Sequence, residues 1–263
     1  MGLFGTGVMA RGIAELCLAN GFELVVRSAS DHRAAAFRDE LLESNQGAVV
    51  TCDPAELGRC GLLLEATAED YQRKFDALKE ADPLLPAEAV VASTTSSLSI
   101  TELASTLERP ERMVGLHFFN PVHRMPLVEV VAGLRTSQET VERGRRFAHD
   151  LGKRPLRVSD GAGFLVNRLL IPYLNQAVRL AESGYAAVED IDRAMVIGAG
   201  HPMGPFALID LIGADVCVAI ARSLDDEFHR TSDAPPPALQ RRVSVGWLGR
   251  KSGRGYYDYL SKG

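Results

Sequence analysis

Short apolar runs alternate with amphipathic stretches through the first 160 residues of the chain. Each run has four or five residues, which suits a strand, and the stretches between them carry apolar residues at helical spacing. Eight strands are predicted, at Met1–Phe4, Phe22–Val26, Val49–Cys52, Leu62–Glu65, Val90–Ser93, Met113–His117, Leu127–Val131 and, near the sheet edge, Pro155–Val158. Short strands that alternate with helices indicate an α/β domain with a doubly wound, mostly parallel sheet.

After about residue 160 only the helical pattern continues. Helices are predicted at Asn167–Ser183, Ile191–Ile197 and Phe206–Ser223, and a loop at Pro235–Pro237. We therefore predict two domains, residues 1–159 built around the sheet and residues 160–263 entirely helical.

A turn of small residues follows the first predicted strand. Gly5, Gly7 and Ala10 form the pattern GxGxxA. Gly5 permits the tight turn, Gly7 lets a pyrophosphate approach the backbone, and Ala10 lets the helix pack near the strand. The helix then begins at Val8 and Met9, whose N–H groups are placed to bind phosphate. Because the turn lies between a strand and a helix, and a second strand follows, it predicts a Rossmann-type dinucleotide-binding domain.

The second predicted strand ends without the acid that usually binds the ribose hydroxyls of NAD. Ser28 holds that place, with Arg27 beside it and Asp31 and Arg33 a little further on. An arginine in place of an acid suits the 2′-phosphate of NADP. Strand alternation could equally point Arg27 away from the ribose, in which case the arginines are ordinary solvated charges. Both NAD and NADP therefore stay open.

His117 ends one predicted strand, and Glu129 lies twelve positions later in the next, beyond a turn at Asn120 and Pro121. Two adjacent strands joined by such a turn can bring the imidazole and the carboxylate into contact. The carboxylate would fix the tautomer of the imidazole and favour its charged form, which suits a general acid/base near neutral pH. The alternative is a structural core histidine, with Glu129 at the surface.

Five separated segments resemble, in order, the motifs of the 3-hydroxyacyl-CoA dehydrogenase family. They are STTSSLSITELA from Ser93, HFFNPVHRMPLVEVV from His117, DGAGFLVNRLLIPYLNQA from Asp160, HPMGPFALIDLIGADV from His201 and GWLGRKSGRGYYDY from Gly246. The resemblance covers nearly the whole chain. It implies an oxidoreductase that interconverts an (S)-3-hydroxyacyl thioester and a 3-ketoacyl thioester with a nicotinamide cofactor.

The resemblance places the active-site positions of the family on Ser96, His117, Glu129 and Asn167. It implies that His117 takes the proton of the 3-hydroxyl group while hydride leaves C3 for the nicotinamide, and that Glu129 orients His117. Ser96 and Asn167 would hydrogen-bond the substrate oxygen or the imidazole. Ser96 could instead cap the following helix, and Asn167 could cap or link helices.

Three further positions match the cofactor site of the family. Glu69 and Lys74 match positions near the ribose and the nicotinamide, and Thr94 stands where the family usually has asparagine beside the nicotinamide. Glu69 and Lys74 could also be ordinary exposed residues of a helix.

The largest departure from the family lies between Ser28 and Ala48. Family members have a long helical hairpin there that helps to bind CoA, whereas this segment has room for about one helix. The acyl group could therefore be carried by CoA or by an acyl carrier protein, or the substrate could be a free hydroxy acid such as a sugar acid. Arg250, Lys251 and Arg254 are candidate phosphate ligands or part of a flexible turn. A non-catalytic cofactor-binding protein, like lens crystallins that resemble the family, is a further alternative, although no active-site residue is lost.

Composition excludes several kinds of partner and binding site. The formal net charge of −5 argues against a nucleic-acid or membrane-surface partner. The four cysteines form no CxxC pair and no zinc spacing with histidine, so no metal site is expected. No apolar run is long enough to cross a bilayer and the first residues lack the basic start of a secretory leader, which predicts a cytoplasmic protein. The apolar helices of the second domain are predicted to form a homodimer interface.

Overall fold

The computed structural model describes residues 1–42 and 47–260. The chain divides into two compact units, Met1–Phe164 and Leu165–Gly263. This division falls a few residues after the predicted boundary between residues 159 and 160.

Asp160 shows why the first unit continues past the last strand. Its carboxylate accepts hydrogen bonds from the hydroxyl of Ser99 (2.9 Å) and from the backbone N–H groups of Ile100 (3.0 Å) and Thr101 (2.7 Å). These groups lie at the start of a helix of the first unit, whose free N–H groups require acceptors. Asp160 is therefore tied to the sheet domain by its side chain.

The first unit has eight strands and five α-helices among its described residues. The strands are β1 (Gly2–Phe4), β2 (Leu24–Arg27), β3 (Ala48–Thr51), β4 (Leu62–Glu65), β5 (Val90–Ser93), β6 (Met113–Phe118), β7 (Leu127–Ala132) and β8 (Arg154–Ser159). The helices are α1 (Val8–Ala19), α2 (Asp31–Leu42), α3 (Tyr71–Ala81), α4 (Ile100–Ala104) and α5 (Gln138–Asp150). All eight predicted strands are present, with ends that differ by at most two residues.

The strands form one sheet in the order β3-β2-β1-β4-β5-β6-β7-β8. Every neighbouring pair is parallel except β6 and β7, which are antiparallel. The predicted doubly wound, mostly parallel sheet is thus confirmed. Because the chain reverses its direction of winding between β1 and β4, a crevice is expected at the carboxyl ends of these strands, where open α/β sheets bind ligands.

Apolar side chains cover both faces of the sheet. One layer of the core packs α1, α2 and α5 on the sheet, and the other packs α3 and α4. Gly115, in β6, is required for this second layer, since a Cβ atom there would lie 2.9 Å from Ile100 of α4 and 2.8 Å from Val131 of β7. Close packing of α4 on the sheet fixes the loop that precedes α4.

The α-helices of the second unit are joined by turns, and two isolated β-bridges, Gly249–Arg254 and Arg254–Asp258, lie near the end of its described residues. The helices are α6 (Val166–Glu182), α7 (Val188–Ala199), α8 (Pro205–Ile212), α9 (Ala214–Phe228) and α10 (Pro237–Ser244). The predicted single helix at Phe206–Ser223 is wrong, because Gly213 interrupts it with a φ of +107°. The loop predicted at Pro235–Pro237 also ends early, since Pro237 is the first residue of α10, a position that proline favours.

Two buried carboxylates hold the end of the described chain against these helices. Asp192 accepts hydrogen bonds from the N–H groups of Phe206 and Ala207, at the start of α8, and from the hydroxyl of Tyr257. Asp210 accepts hydrogen bonds from the N–H groups of Tyr256 and Tyr257. No helix in the described part of the chain combines the length and apolar character needed to cross a membrane.

Candidate active site

The glycine turn after β1 has the geometry of a phosphate site. Gly5 has a φ of +128°, and a Cβ atom there would lie 2.5 Å from the carbonyl oxygen of Ala66. Gly7 caps α1, and a Cβ atom on it would meet nothing within 4 Å. The first turn of α1, from Val8, contains no acidic residue, and Ala10 is fully buried. The backbone N–H groups of this turn therefore face open space that fits the pyrophosphate of a dinucleotide.

The end of β2 is already occupied by contacts within the chain. The guanidinium of Arg27 forms an ion pair with Glu80 (2.8 Å) and lies 5.5 Å from the centre of the Phe4 ring. Ser28 is fully buried, and its hydroxyl donates a hydrogen bond to the carbonyl oxygen of Ser30 (3.0 Å). The arginine that could serve a 2′-phosphate is thus paired with a carboxylate.

His117 and Glu129 lie opposite each other in the antiparallel pair of β6 and β7. Nδ1 of His117 is 2.6 Å from Oε2 of Glu129. Both residues are buried, and the rings of Phe119 and Phe164 lie 4.5 Å and 5.6 Å from the imidazole, centre to centre. The alternative that placed Glu129 at the surface is wrong, because its side chain is completely buried.

This contact determines which nitrogen can act on a substrate. When Nδ1 donates its hydrogen to the carboxylate of Glu129, Nε2 carries the lone pair of the neutral imidazole. The carboxylate also stabilises the imidazolium that forms when Nε2 accepts a proton. The arrangement of His117 and Glu129 is thus suited to general acid/base chemistry.

Glu69 organises residues 95–97, which we call the serine loop. Its Oε1 atom accepts hydrogen bonds from the hydroxyls of Thr95 (2.7 Å), Ser96 (3.0 Å) and Ser97 (2.9 Å), and from the N–H groups of Ser96 (2.7 Å) and Ser97 (3.0 Å). Burial works against its charge, but Lys74 and these hydrogen bonds outweigh burial and lower the pKa of Glu69 below its ordinary value. A charged Glu69 therefore anchors the loop that carries Ser96.

Lys74 lies beneath Glu69 and is paired with an acid that the sequence analysis missed. The ammonium group of Lys74 is 3.1 Å from a carboxylate oxygen of Glu65 and 3.5 Å from one of Glu69. Lys74 and Glu65 have only 1% and 0% of their side chains exposed. The alternative of an exposed helical residue is wrong for Lys74, which is buried, whereas Glu69 is exposed but lies before α3 and not in the helix. The only signal for Glu65 was an acid that ends an apolar strand.

Neither Ser96 nor Asn167 is a helix cap. Ser99 caps α4, because its hydroxyl accepts a hydrogen bond from the N–H group of Glu102 (3.2 Å). Asn167 is the second residue of α6, whose N-cap is Leu165. Thr94 lies before the serine loop and is half-buried. The capping alternatives for Ser96 and Asn167 are therefore wrong.

The basic residues near the end of the described chain have partners within the second unit. Lys251 forms an ion pair with Asp215 (2.6 Å). The guanidinium of Arg254 lies 3.9 Å from the centre of the Trp247 ring, and that of Arg250 lies 5.6 Å from the centre of the Tyr259 ring. These side chains hold the turn in place.

Together, the glycine turn after β1 and the buried imidazole–carboxylate pair near the carboxyl end of β6 define a nicotinamide-dependent dehydrogenase. The sequence-family model of the NAD-binding domain of 3-hydroxyacyl-CoA dehydrogenase matches residues 1–161, and the family model of the C-terminal domain matches residues 163–259. The chain belongs to the 3-hydroxyacyl-CoA dehydrogenase family, and the prediction of this family of oxidoreductases is confirmed.

Similar proteins cover nearly the whole chain. A 3-hydroxybutyryl-CoA dehydrogenase of Mycobacterium tuberculosis is 40% identical, over 98% of this chain and 98% of its own length. The crystal structure of FadB2 from M. tuberculosis matches with a TM-score of 0.94, 40% identity and 98% coverage of both chains. That of the (S)-3-hydroxybutyryl-CoA dehydrogenase PaaH1 from Ralstonia eutropha matches with a TM-score of 0.91 and 36% identity, covering 99% of this chain and 98% of its own.

Proposed function

We propose that this protein interconverts a short-chain (S)-3-hydroxyacyl-CoA and the corresponding 3-ketoacyl-CoA, with NAD as hydride carrier. The observation that carries the proposal is the 2.6 Å contact between Nδ1 of His117 and the buried carboxylate of Glu129. The relatives support the substrate class, because the similar enzymes of M. tuberculosis and R. eutropha are named for 3-hydroxybutyryl-CoA.

In this reaction His117 is the general acid/base. Its Nε2 atom accepts the proton of the 3-hydroxyl group during oxidation and returns it to the oxygen during reduction. Glu129 holds the imidazole in the required tautomer and stabilises its protonated form. Ser96 hydrogen-bonds the substrate oxygen or the imidazole and so restricts the reacting geometry. A bound nicotinamide dinucleotide supplies the hydride acceptor.

The site contains groups that suit this cofactor. The N–H groups at Gly7, Val8 and Met9, with Ala10 packed beneath, would hold the pyrophosphate. Glu69 and Thr94 lie near the carboxyl ends of β4 and β5, on the side where the nicotinamide half of a dinucleotide would extend.

The assay that tests the proposal follows the oxidation of NADH with acetoacetyl-CoA. Turnover of the CoA thioester in clear excess over free acetoacetate is expected. Acetoacetyl-acyl carrier protein is tested as the third substrate. The reason is that the segment between β2 and β3, where the family binds CoA, contains only α2 among its described residues. No turnover of any of the three would contradict the proposal, and a clear preference for the carrier-protein thioester would replace CoA as the acyl carrier.

We propose NAD rather than NADP because the ion pair with Glu80 occupies the guanidinium of Arg27. Because this guanidinium is already paired, Arg27→Ala is expected to change the ratio of the dissociation constants for NAD and NADP by less than about twofold. Fluorescence titration of both cofactors measures this ratio. Arg145→Ala, which removes the same charge from an exposed position on α5, is the matched control. Tighter binding of NADP by the natural protein would contradict the choice of NAD.

We also propose a homodimer formed through the helical unit. Large apolar side chains are exposed on four of its helices: Leu169 (69% exposed), Ile197 (77%), Leu211 (50%) and Val216 (39%). Exposed apolar surface of this kind is typical of an interface between subunits. Light scattering at micromolar concentration should give twice the chain mass of 28.5 kDa, and Leu169→Glu should reduce it. A monomeric mass for the natural protein would overturn the proposal.

A further inference from the structure

A buried ion pair lies at the carboxyl end of β4, outside the acid/base pair. The ammonium group of Lys74 is 3.2 Å and 3.1 Å from the two carboxylate oxygens of Glu65, and 3.3 Å from the carbonyl oxygen of Thr67. Glu65 also accepts hydrogen bonds from the N–H and hydroxyl groups of Thr67 and from the hydroxyl of Ser93. Both carboxylate oxygens of Glu65 therefore accept hydrogen bonds from more than one donor.

Stability alone does not explain such a pair. Removing two charges from water is unfavourable, and a buried pair is often no more stabilising than apolar residues of the same size. What a fully hydrogen-bonded pair does provide is a fixed position, because each partner allows only one arrangement of the other. The position fixed here is that of the ammonium group of Lys74.

Lys74 transmits this position to the serine loop. Its ammonium group lies 3.5 Å from Oε2 of Glu69, while Oε1 of Glu69 accepts hydrogen bonds from the N–H and hydroxyl groups of Ser96. A continuous series of polar contacts thus runs from Glu65 through Lys74 and Glu69 to Ser96.

We propose that Glu65 and Lys74 are positioning residues, which fix Glu69 and through it hold the Ser96 hydroxyl in place for the substrate oxygen. The inference rests on the proposed function, in which Ser96 restricts the reacting geometry. A displacement of about 1 Å at a positioning group lowers the rate on the order of a hundredfold. Loss of the ion pair between Glu65 and Lys74 should therefore lower kcat only in a protein that still contains Ser96.

A double-mutant cycle tests this dependence. Glu65→Gln combined with Lys74→Met removes both charges together, so neither is left buried without a partner. We expect this variant to lower kcat about tenfold in the natural background and less than twofold in a Ser96→Ala background. Equal decreases in the two backgrounds would show that the pair does not act through Ser96 and would overturn the inference.

A second buried ion pair provides the matched control. Arg112 and Asp82 are also buried and in contact, but they lie at the amino ends of the strands, since Arg112 directly precedes β6. Asp82→Asn with Arg112→Met should lower the melting temperature to a similar extent and leave kcat unchanged. An equal decrease of kcat in the control would attribute the effect to general destabilisation and contradict the inference.

Hydrogen exchange gives a readout that needs no substrate. The N–H groups of Ser96 and Ser97 donate to Glu69, so they should be protected in the natural protein. Protection of residues 95–97 should fall at least about tenfold in the Glu65→Gln/Lys74→Met variant and stay unaltered in the control. Unchanged protection of residues 95–97 in the double variant would overturn the inference. Absence of turnover by the natural protein with all the tested substrates would contradict only the proposed function, because hydrogen exchange is measured without substrate.

Discussion

His117→Ala is expected to lower kcat by roughly 10²–10⁴-fold, the usual contribution of a general acid/base. Without the imidazole, no side chain described near the carboxyl end of β6 replaces Nε2 as acceptor of the hydroxyl proton. The substitution also removes a 2.6 Å contact of the buried Glu129 carboxylate, so the melting temperature should fall as well. Cofactor affinity should stay within about twofold of the natural value, because His117 lies on β6 and the glycine turn follows β1.

The assay is the reduction of acetoacetyl-CoA under saturating NADH, together with a fluorescence titration of NADH. His149→Ala is the matched control, since that histidine lies on α5 with 80% of its side chain exposed. It should retain the natural kcat. A His117→Ala variant that keeps more than a tenth of the natural kcat while remaining folded would remove His117 from the mechanism.

Glu129→Gln is expected to lower kcat about a hundredfold or more, with little change in the KM for the substrate. An amide has a donor group that the carboxylate lacks, and this group can direct a hydrogen at Nδ1. The neutral imidazole would then carry its own hydrogen on Nε2, which is the wrong tautomer for a base. The amide would also fail to stabilise the imidazolium.

Activity per folded molecule separates this effect from a loss of folding. Glu129→Gln should lower kcat in protein that circular dichroism shows to be folded, whereas simple destabilisation would lower the fraction of folded protein and leave the kcat of the folded molecules unaltered. Glu142→Gln, an exposed substitution on α5, is the control. A folded Glu129→Gln variant with the natural kcat would show that the carboxylate plays no part in proton transfer.

The sheet was predictable because each strand is short, apolar and bounded by turn residues. The facing positions of His117 and Glu129 followed from the same pattern, since two strands joined by a short connection have few possible registers. The glycine turn was predictable because it requires a backbone conformation that the residue type at each position permits or forbids. Gly5 adopts a φ of +128° that other residues rarely tolerate.

Features that depend on distant parts of the chain were not predictable. The apolar helical pattern continues across Gly213, and because a helix tolerates a single glycine, the residue alone did not establish that the helix breaks there. The structure shows that a Cβ atom at Gly213 would lie 2.9 Å from the side chains of Asp215 and Lys251. Glu65 was missed for a similar reason, because its partner Lys74 reaches it only after α3 packs on the sheet. The sequence alone could not show that Lys74 is buried, because a lysine in a helix is usually exposed.

The antiparallel pairing of β6 with β7 has a consequence for how such an enzyme can diverge. His117 and Glu129 face each other within one hairpin, so the proposed acid/base pair lies in a single segment and forms from contacts that are local in the chain. Changes of length elsewhere, such as the short connection between β2 and β3, can alter which molecules are recognised without disturbing that register. Related enzymes can therefore act on different substrates and keep the same proposed acid/base pair.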